Sequence, residues 1–401
     1  MRSLEFMSPD YLENPWPLYA QYRRERPVWW SEEIRMFCVF RYEHVRTVLK
    51  DPRFTVDYPF RVTEQLFGRT LIDMEGPEHV RLRQRLAPLF GAANLAAFAR
   101  EVSEPQIAEL IRLATDRSPL EFMQAVAERV PTLMISAFLG LPASGEQWLF
   151  QRMMTLMDHL DGKTDKRREV SIAHRELSAW LDEHIARLQR EPAGGLGYKR
   201  LIDGIGDESP ETIKGLHWGL LAGGIETSMC FLGNAVAVLT AHPEWFARLA
   251  DPSSPMARSI LEEVLRFEPV QAATVRFAAE DVELGGVSIR KGQAINVLLA
   301  SAARDESVFA SPDVFDPTRP LGKSLSFAIG PHACIGKHFT MMNAEITLRA
   351  LWSTWRGVRR ANSVGATIRG ASFRRPQSLF LERSNNPSVR DLVSAPTGTM
   401  Q

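Results

Sequence analysis

The sequence predicts a mainly α-helical protein with small β-sheets. Three observations carry that expectation. From Pro77 to Arg190 most apolar residues recur at helical spacing. Ser209-Pro210-Glu211 starts a helix, with a Ser cap, Pro at the first position and an acid in the first turn. That helix runs unusually far, to about Ala241. Val275 to Val297 alternates instead, and carries the turn Gly285-Gly286, the pattern of paired strands.

The elements follow in order. Pro15–Arg26 is a short amphipathic helix, and Val28–Phe40 a hairpin. Tyr42–Lys50 is helical and stops at Asp51-Pro52. Arg53–Gly76 lacks periodicity and is expected to be a long loop with one short helix; such loops are often functional. Three helices fill Pro77–Leu139, divided near Gly91 and around Arg117 to Pro119. Glu146–Leu160 and Ser171–Arg190 are helices separated by the polar run Asp161–Glu169, and Ala193–Gly197 is loose. This pair reads equally as a lid or as a solvated connector. Two shorter helices follow the long one, the second over Met256–Phe267. Ala302–Leu325 is irregular, Cys334 opens a last helix to about Arg356, and hairpins are expected over Gly357–Glu382. No internal repeat or low-complexity linker splits the chain. One unit is expected over residues 1–383, with a β-rich lobe at about 28–40, 275–297 and 357–382, and a disordered polar tail over 384–401.

Composition excludes several classes. The 401 residues hold 48 basic and 48 acidic side chains, a balance that argues against a coat for nucleic acid or an anionic membrane. Three cysteines, Cys38, Cys230 and Cys334, are too few for a disulfide framework, and the odd count fits a reducing, cytoplasmic setting. Met1–Arg26 has no apolar core of signal-peptide length. The run Gly219–Leu239 is broken by Glu226, Asn234 and glycines, so it reads as a buried helix and no membrane anchor is expected.

The most informative segment is Phe327-Ala328-Ile329-Gly330-Pro331-His332-Ala333-Cys334-Ile335-Gly336. It sets a thiol ahead of a helix, where N–H groups and the macrodipole lower its pKa. A buried structural cysteine is the commoner fate of a lone Cys. Zinc would need a second cysteine at ligand spacing, and a nucleophile would need a base that His332 does not necessarily provide.

This segment resembles the heme-binding loop of the cytochrome P450 family: Phe, two residues, Gly, any, His or Arg, any, Cys, any, Gly. Phe327, Gly330, His332, Cys334 and Gly336 match. Ala328 departs from the usual Gly, and Phe339-Thr340 from the usual Leu-Ala; both would alter packing beside the heme and leave the ligand intact. Glu263-Val264-Leu265-Arg266 resembles the family's Glu-x-x-Arg motif, whose implied role is structural, with Arg319 as a third member. Gly223-Gly224-Ile225-Glu226-Thr227 reads by itself as close helix packing. It also resembles the family's oxygen-activating motif, with Gly223 and Gly224 as an oxygen groove and Glu226 and Thr227 as a proton relay. His79 and Arg83 share a helix face, which alone reads as a solvated basic face. The resemblance sets them, with Arg276 and His332, on the two heme propionates.

The resemblance covers roughly Asn14 to Glu382. It implies a triangular fold with heme b (iron protoporphyrin IX) between the long central helix and the cysteine-loop helix, ligated by Cys334. Its implied activity is a monooxygenase using dioxygen and two electrons, most simply to hydroxylate a hydrophobic small molecule in bacterial secondary metabolism. Coupling, cyclisation, epoxidation or desaturation are alternatives, and a non-catalytic heme or ligand-binding protein is another. Electrons are expected from NAD(P)H through a ferredoxin reductase and a ferredoxin, docked around Cys334. Lys337, His338, Arg81 and Arg85 serve that face or solubility alone. A monomer without nucleic-acid partners is expected. By position, the substrate pocket comprises Phe60, Leu66, Phe67, Leu71, Gly219, Ala222, Gly223, Val270, Ala272, Ala273 and Thr274, with the hairpin near Arg375 to Ser378 on the far side.

Overall fold

A computed structural model describes residues 5–384 except 7, 59–60, 163–165, 191–200, 202–203 and 321. Phe60, the expected loose segment Ala193–Gly197 and the tail beyond Ser384 lie outside the described residues, as does the middle of the polar run Asp161–Glu169.

The architecture is mainly helical. Its axis is the central helix Pro210–Leu239, which starts where Ser209 Oγ accepts from the Thr212 N–H at 3.2 Å. Length and composition would let this helix cross a membrane, but most of its residues are buried among other helices. Its neighbours include Arg129–Phe138, Ala257–Phe267 and Lys337–Trp355, and together they enclose the largest apolar core.

Helices Tyr42–Lys50 and Glu146–Leu160 have the limits that periodicity predicts. Helix Arg167–Arg190 begins four residues earlier than expected (171 minus 167), inside the polar run. It lies along Glu146–Leu160, joined by Arg152 to Glu176 at 2.6 Å and by the Trp148–Trp180 ring pair. The last helix begins at Lys337 rather than at Cys334, because Gly336 is its cap.

The strands form three sheets. β1 (Val28–Ser31), β2 (Met36–Val39), β8 (Ala294–Val297), β5 (Thr274–Ala278) and β3 (Phe54–Thr55) lie in that order in the largest. β2 and β8 are parallel, with Cys38 opposite Asn296. β6 (Val282–Leu284) and β7 (Val287–Ile289) flank the Gly285-Gly286 turn. β10 (Phe380–Arg383) runs between β4 (Leu120–Glu121) and β9 (Val358–Arg360). β3 and β4 are additions to the expected set. β4 joins the C-terminal hairpin to the helical part.

The two ends of the described chain meet. Arg374, almost fully buried, donates from Nη1 to Leu12 O at 3.0 Å and from Nη2 to Glu13 O at 3.2 Å. Its guanidinium and that of Arg304 both face the Trp16 ring.

Candidate active site

The cysteine loop is set by a backbone contact. Gly330 has φ +80°, and a Cβ there would stand 2.5 Å from Leu49 O, so the loop needs glycine to cross the end of helix Tyr42–Lys50. Ala328, the first departure from the pattern this loop resembles, adopts φ +51°. Phe327 O accepts from the Cys334 N–H at 2.9 Å, and the Phe327 ring meets the Lys337 ammonium. Cys334 is surrounded by protein yet keeps exposed surface, so its thiol faces an internal space. Burial pushes the thiol pKa up. Gly336 N–H, Arg83 and Lys337 pull against it without overcoming it. The expectation of an already depressed thiol is thereby corrected: the helix-start donors are in place, but burial outweighs them. A metal ion deprotonates a coordinated thiol outright.

The four expected carboxylate-binding residues gather beside this loop. His79 lies buried in helix Gly76–Leu86, its ring centroid 4.3 Å from that of His332. Arg83 Nη2 donates to Ala333 O, inside the loop itself. Arg276, on β5, is buried and held by Val275 O at 2.9 Å and Thr274 Oγ1 at 3.3 Å. Glu75, which sequence reasoning missed, sits among them. It meets His332 Nε2 at 3.3 Å and accepts from the Val56 N–H at 2.8 Å. Burial works to raise the Glu75 pKa, but His332 and these donors hold it at about 2. Burial and the neighbouring His332 press His79 down to about 4.

This donor set suits an iron porphyrin with two carboxylates. It offers one inward-facing thiol, two arginines and two imidazoles. His79 Nε2 is also buried without a hydrogen-bond partner, a costly state that a ligand carboxylate would relieve.

Across the space, the central helix is unbroken through Gly223 and Gly224. The two glycines have different neighbours. Gly223 is exposed, and a Cβ there would meet nothing within 4 Å. Gly224 faces Ile135, whose Cγ1 would lie 3.2 Å from an added Cβ, so the glycine lets the central helix pack closely on helix Arg129–Phe138. Thr227 Oγ1 donates to Gly223 O at 2.6 Å. Glu226 is fully buried and paired with Arg375 Nη1 at 3.2 Å. Ser228 and Thr340 hydroxyls are 3.3 Å apart, so the unusual Thr340 joins the cysteine helix to the central one. Phe339 fills the other departure by packing on Phe98 and Phe138.

Glu263, Arg266 and Arg319 meet. Arg266 forks onto Glu263 with bonds of 2.7 and 2.8 Å, both side chains buried. Glu263 Oε1 also accepts from Arg319 Nε at 3.2 Å and from the Asp316 N–H at 2.9 Å.

The pocket assignments divide. Leu66, Leu71, Ala222, Ala273 and Thr274 are half-buried. Phe67 is fully buried, against the Trp218 ring at 5.2 Å. Ala272 is likewise core, in the N-terminal aromatic cluster, and Val270 is buried in the main core. Gly219 is covered by Thr70, whose Cβ would lie 3.2 Å from an added methyl. Sequence position alone does not separate ligand-facing from core-facing apolar residues. Three of the four docking cations are also engaged. Arg81 and Arg85 bind Glu208 and Asp207, and Lys337 binds Glu262 at 3.3 Å; His338 is exposed.

Known proteins resemble this chain in sequence and in fold. A sequence profile of the family described as Cytochrome P450 matches residues 252–356, which hold Glu263, Arg266, Arg276, Arg319 and the whole cysteine loop. The vitamin D(3) 25-hydroxylase of Pseudonocardia autotrophica is 30% identical over 362 residues, 87% of this chain and 88% of that protein. Nocardicin C N-oxygenase of Nocardia uniformis subsp. tsuyamanensis is 30% identical over 377 residues, 90% and 92% of the respective chains. The crystal structure of P450BioI in complex with hexadec-9Z-enoic acid ligated acyl carrier protein matches with a TM-score of 0.83 at 25% identity. That match covers 94% of this chain and 99% of that one. With sequence likeness running almost end to end and the thiol loop inside the matched profile, the chain belongs to the cytochrome P450 family of monooxygenases.

Proposed function

We propose that this cytochrome P450 holds heme b on Cys334 and hydroxylates an unactivated carbon of a hydrophobic small molecule in bacterial secondary metabolism. The observation that carries the reading is the Ser228–Thr340 contact, which sets the cysteine helix against the Glu226–Thr227 segment. Heme, when bound, supplies the one-electron and dioxygen chemistry.

The chain's own residues do the rest. Cys334 would hold the heme iron through its thiolate, with Phe327, Gly330 and Gly336 shaping its loop. His79, Arg83, Arg276 and His332 would hold the two propionates, whose negative charge would offset the clustering of donors. Thr227 Oγ1 donates to Gly223 O and keeps acceptor lone pairs for a proton from water, relayed by way of the Glu226 carboxylate. Gly223 leaves open space on that side of the helix. Leu66, Leu71, Ala222, Ala273 and Thr274 give the pocket an apolar wall that orients substrate and excludes water. Glu263, Arg266 and Arg319 lock the proximal side. In this reading residues 1–383 act as one heme domain, monomeric and cytoplasmic. Electrons pass from NAD(P)H through a ferredoxin reductase and a ferredoxin.

The test is a titration of the ferric protein with terpenoids, steroids, fatty acids, macrolides, aromatics and cyclic dipeptides, followed at the Soret band. A low-to-high-spin shift identifies the substrate class. Turnover with a surrogate ferredoxin system under labelled dioxygen then gives a product carrying one labelled oxygen. A shift without any dioxygen-dependent product, whatever the electron source, would overturn the reading in favour of a heme-ligand-binding protein.

A further inference from the structure

We infer that Arg375 is a positioning residue for Glu226: a cation on the C-terminal hairpin that keeps this acid a carboxylate and fixes its place beside Thr227. The inference rests on the reading of Glu226 as relay acid.

Glu226 is fully buried in the central helix. A carboxylate so placed is stable as a charge only beside a cation or several donors. Arg375 Nη1 stands 3.2 Å from its Oε1, and 4.0 Å from Cys230 Sγ one turn further along. The guanidinium comes from a fixed backbone. Arg375 and Arg369 exchange both N–H···O bonds, at 3.0 and 3.1 Å. The preceding Arg374 N–H donates to Val270 O at 2.9 Å, and its carbonyl accepts from Asn234 Nδ2 of the central helix at 3.0 Å. The hairpin is thus tied to the same helix that carries Glu226.

The charged surroundings agree with this geometry. Burial works to lower the Arg375 pKa, but Cys230, Glu226 and Asp158 outweigh it and leave it raised. Glu128 is pushed up by burial, and Arg375 relieves part of that. Among the described residues, the titratable groups that face Arg375 are Glu226 and Cys230 on the central helix, Asp158 on Glu146–Leu160 and Glu128 ahead of Arg129–Phe138. The cation stands among acids on three elements. Without it, the carboxyl buried deepest among them takes up a proton.

Infrared difference spectra of the heme-loaded protein at neutral pH test this through the C=O stretch of a protonated carboxyl. Arg375→Gln should gain such a band. The band should be missing from the wild type and from Arg375→Lys, and should vanish in Arg375→Gln/Glu226→Gln. A folded Arg375→Gln without the band overturns the inference. If that variant does not fold, titration of the wild type decides. The band lost in Glu226→Gln should then emerge only below the ordinary glutamate range, and its presence at neutral pH overturns the inference. A chain lacking the red-shifted ferrous–CO Soret band of a thiolate heme would sink the functional reading instead. The missing infrared band with that Soret band intact sinks only the role of Arg375.

Discussion

Asp73 and Arg61 clasp the two ends of the loop that carries Leu66 and Leu71. Arg61 Nε lies 3.0 Å from Asp73 Oδ1, and the carboxylate is fully buried. Thr63 Oγ1 and Thr70 Oγ1 donate to the same carboxylate at 2.5 and 2.8 Å, while Arg61 Nη1 donates to Val56 O and Ile72 O. Asp73→Ala strands a largely buried guanidinium and two threonine hydroxyls. It should cost about 3 kcal/mol, the range for breaking a buried ion pair. Urea unfolding checks the cost, and weaker spin shifts with any ligand found for the wild type would check the loop's part in binding.

Ala328 stands at φ +51°, a conformation that costs an L-residue about 1 kcal/mol. Ala328→Gly removes that strain and gives back part of the gain as unfolded-state entropy. The expected net result is a rise of about 0.5 kcal/mol in stability, within the range for relieving one strained position. The opposing term is the methyl group's contact with the core under the five-stranded sheet. A lower urea midpoint for the variant would mean that this contact matters more than the backbone.

Glu263 is the shared acceptor of Arg266, Arg319 and the Asp316 N–H. Glu263→Gln leaves two guanidiniums without their counter-charge, one of them fully buried. A loss of about 3–5 kcal/mol is expected, visible as poor soluble yield and a lower urea midpoint. Adding Arg266→Met should recover part of it, because the stranded charge is then gone.

His217, on the central helix, is fully buried with Nδ1 2.7 Å from Ile213 O, and burial presses its pKa from 6.5 to about 4. The unfolded chain therefore binds a proton that the folded chain refuses between those values. Stability must fall as pH drops through this window, by about 2 kcal/mol at pH 5 for a full shift of this size. Comparing urea midpoints at pH 7 and pH 5 checks it: His217→Gln should lose less than the wild type.

What the sequence discloses follows the range of the interactions. Ser209-Pro210-Glu211 marks a helix start by local chemistry alone, and the structure has a helix there. The cysteine loop is likewise a local pattern. β3 and β4 span two residues each, too short for any periodicity. Arg375 and Glu226 lie 149 positions apart, and no local signal joins them. Gly223 and Gly224 are chemically identical neighbours, separated only by which side of the helix each occupies. Phe67 and Ala272 lie near the expected pocket in sequence, but a core uses the same residue types. Glu75, beside the carboxylate-binding group, had one available clue: an acid just ahead of Gly76-Pro77-Glu78, at the start of the helix that bears His79 and Arg83.

The hold of Arg374 on Leu12 and Glu13 has a consequence for synthesis. The ribosome releases the chain N-terminus first, so helices such as Pro210–Leu239 emerge while their last partners are still untranslated. The Arg374 bonds close across 362 and 361 positions, and β10 pairs with β4, a strand made long before it. The seam of the fold is therefore sewn at the end of translation. Until then Trp16 and the aromatic residues around Tyr11 and Tyr19 lack the hairpin that covers them. A nascent chain stalled before Arg374 is the form that chaperones and proteases would meet, and a nonsense codon even this late should leave little intact protein in the cell.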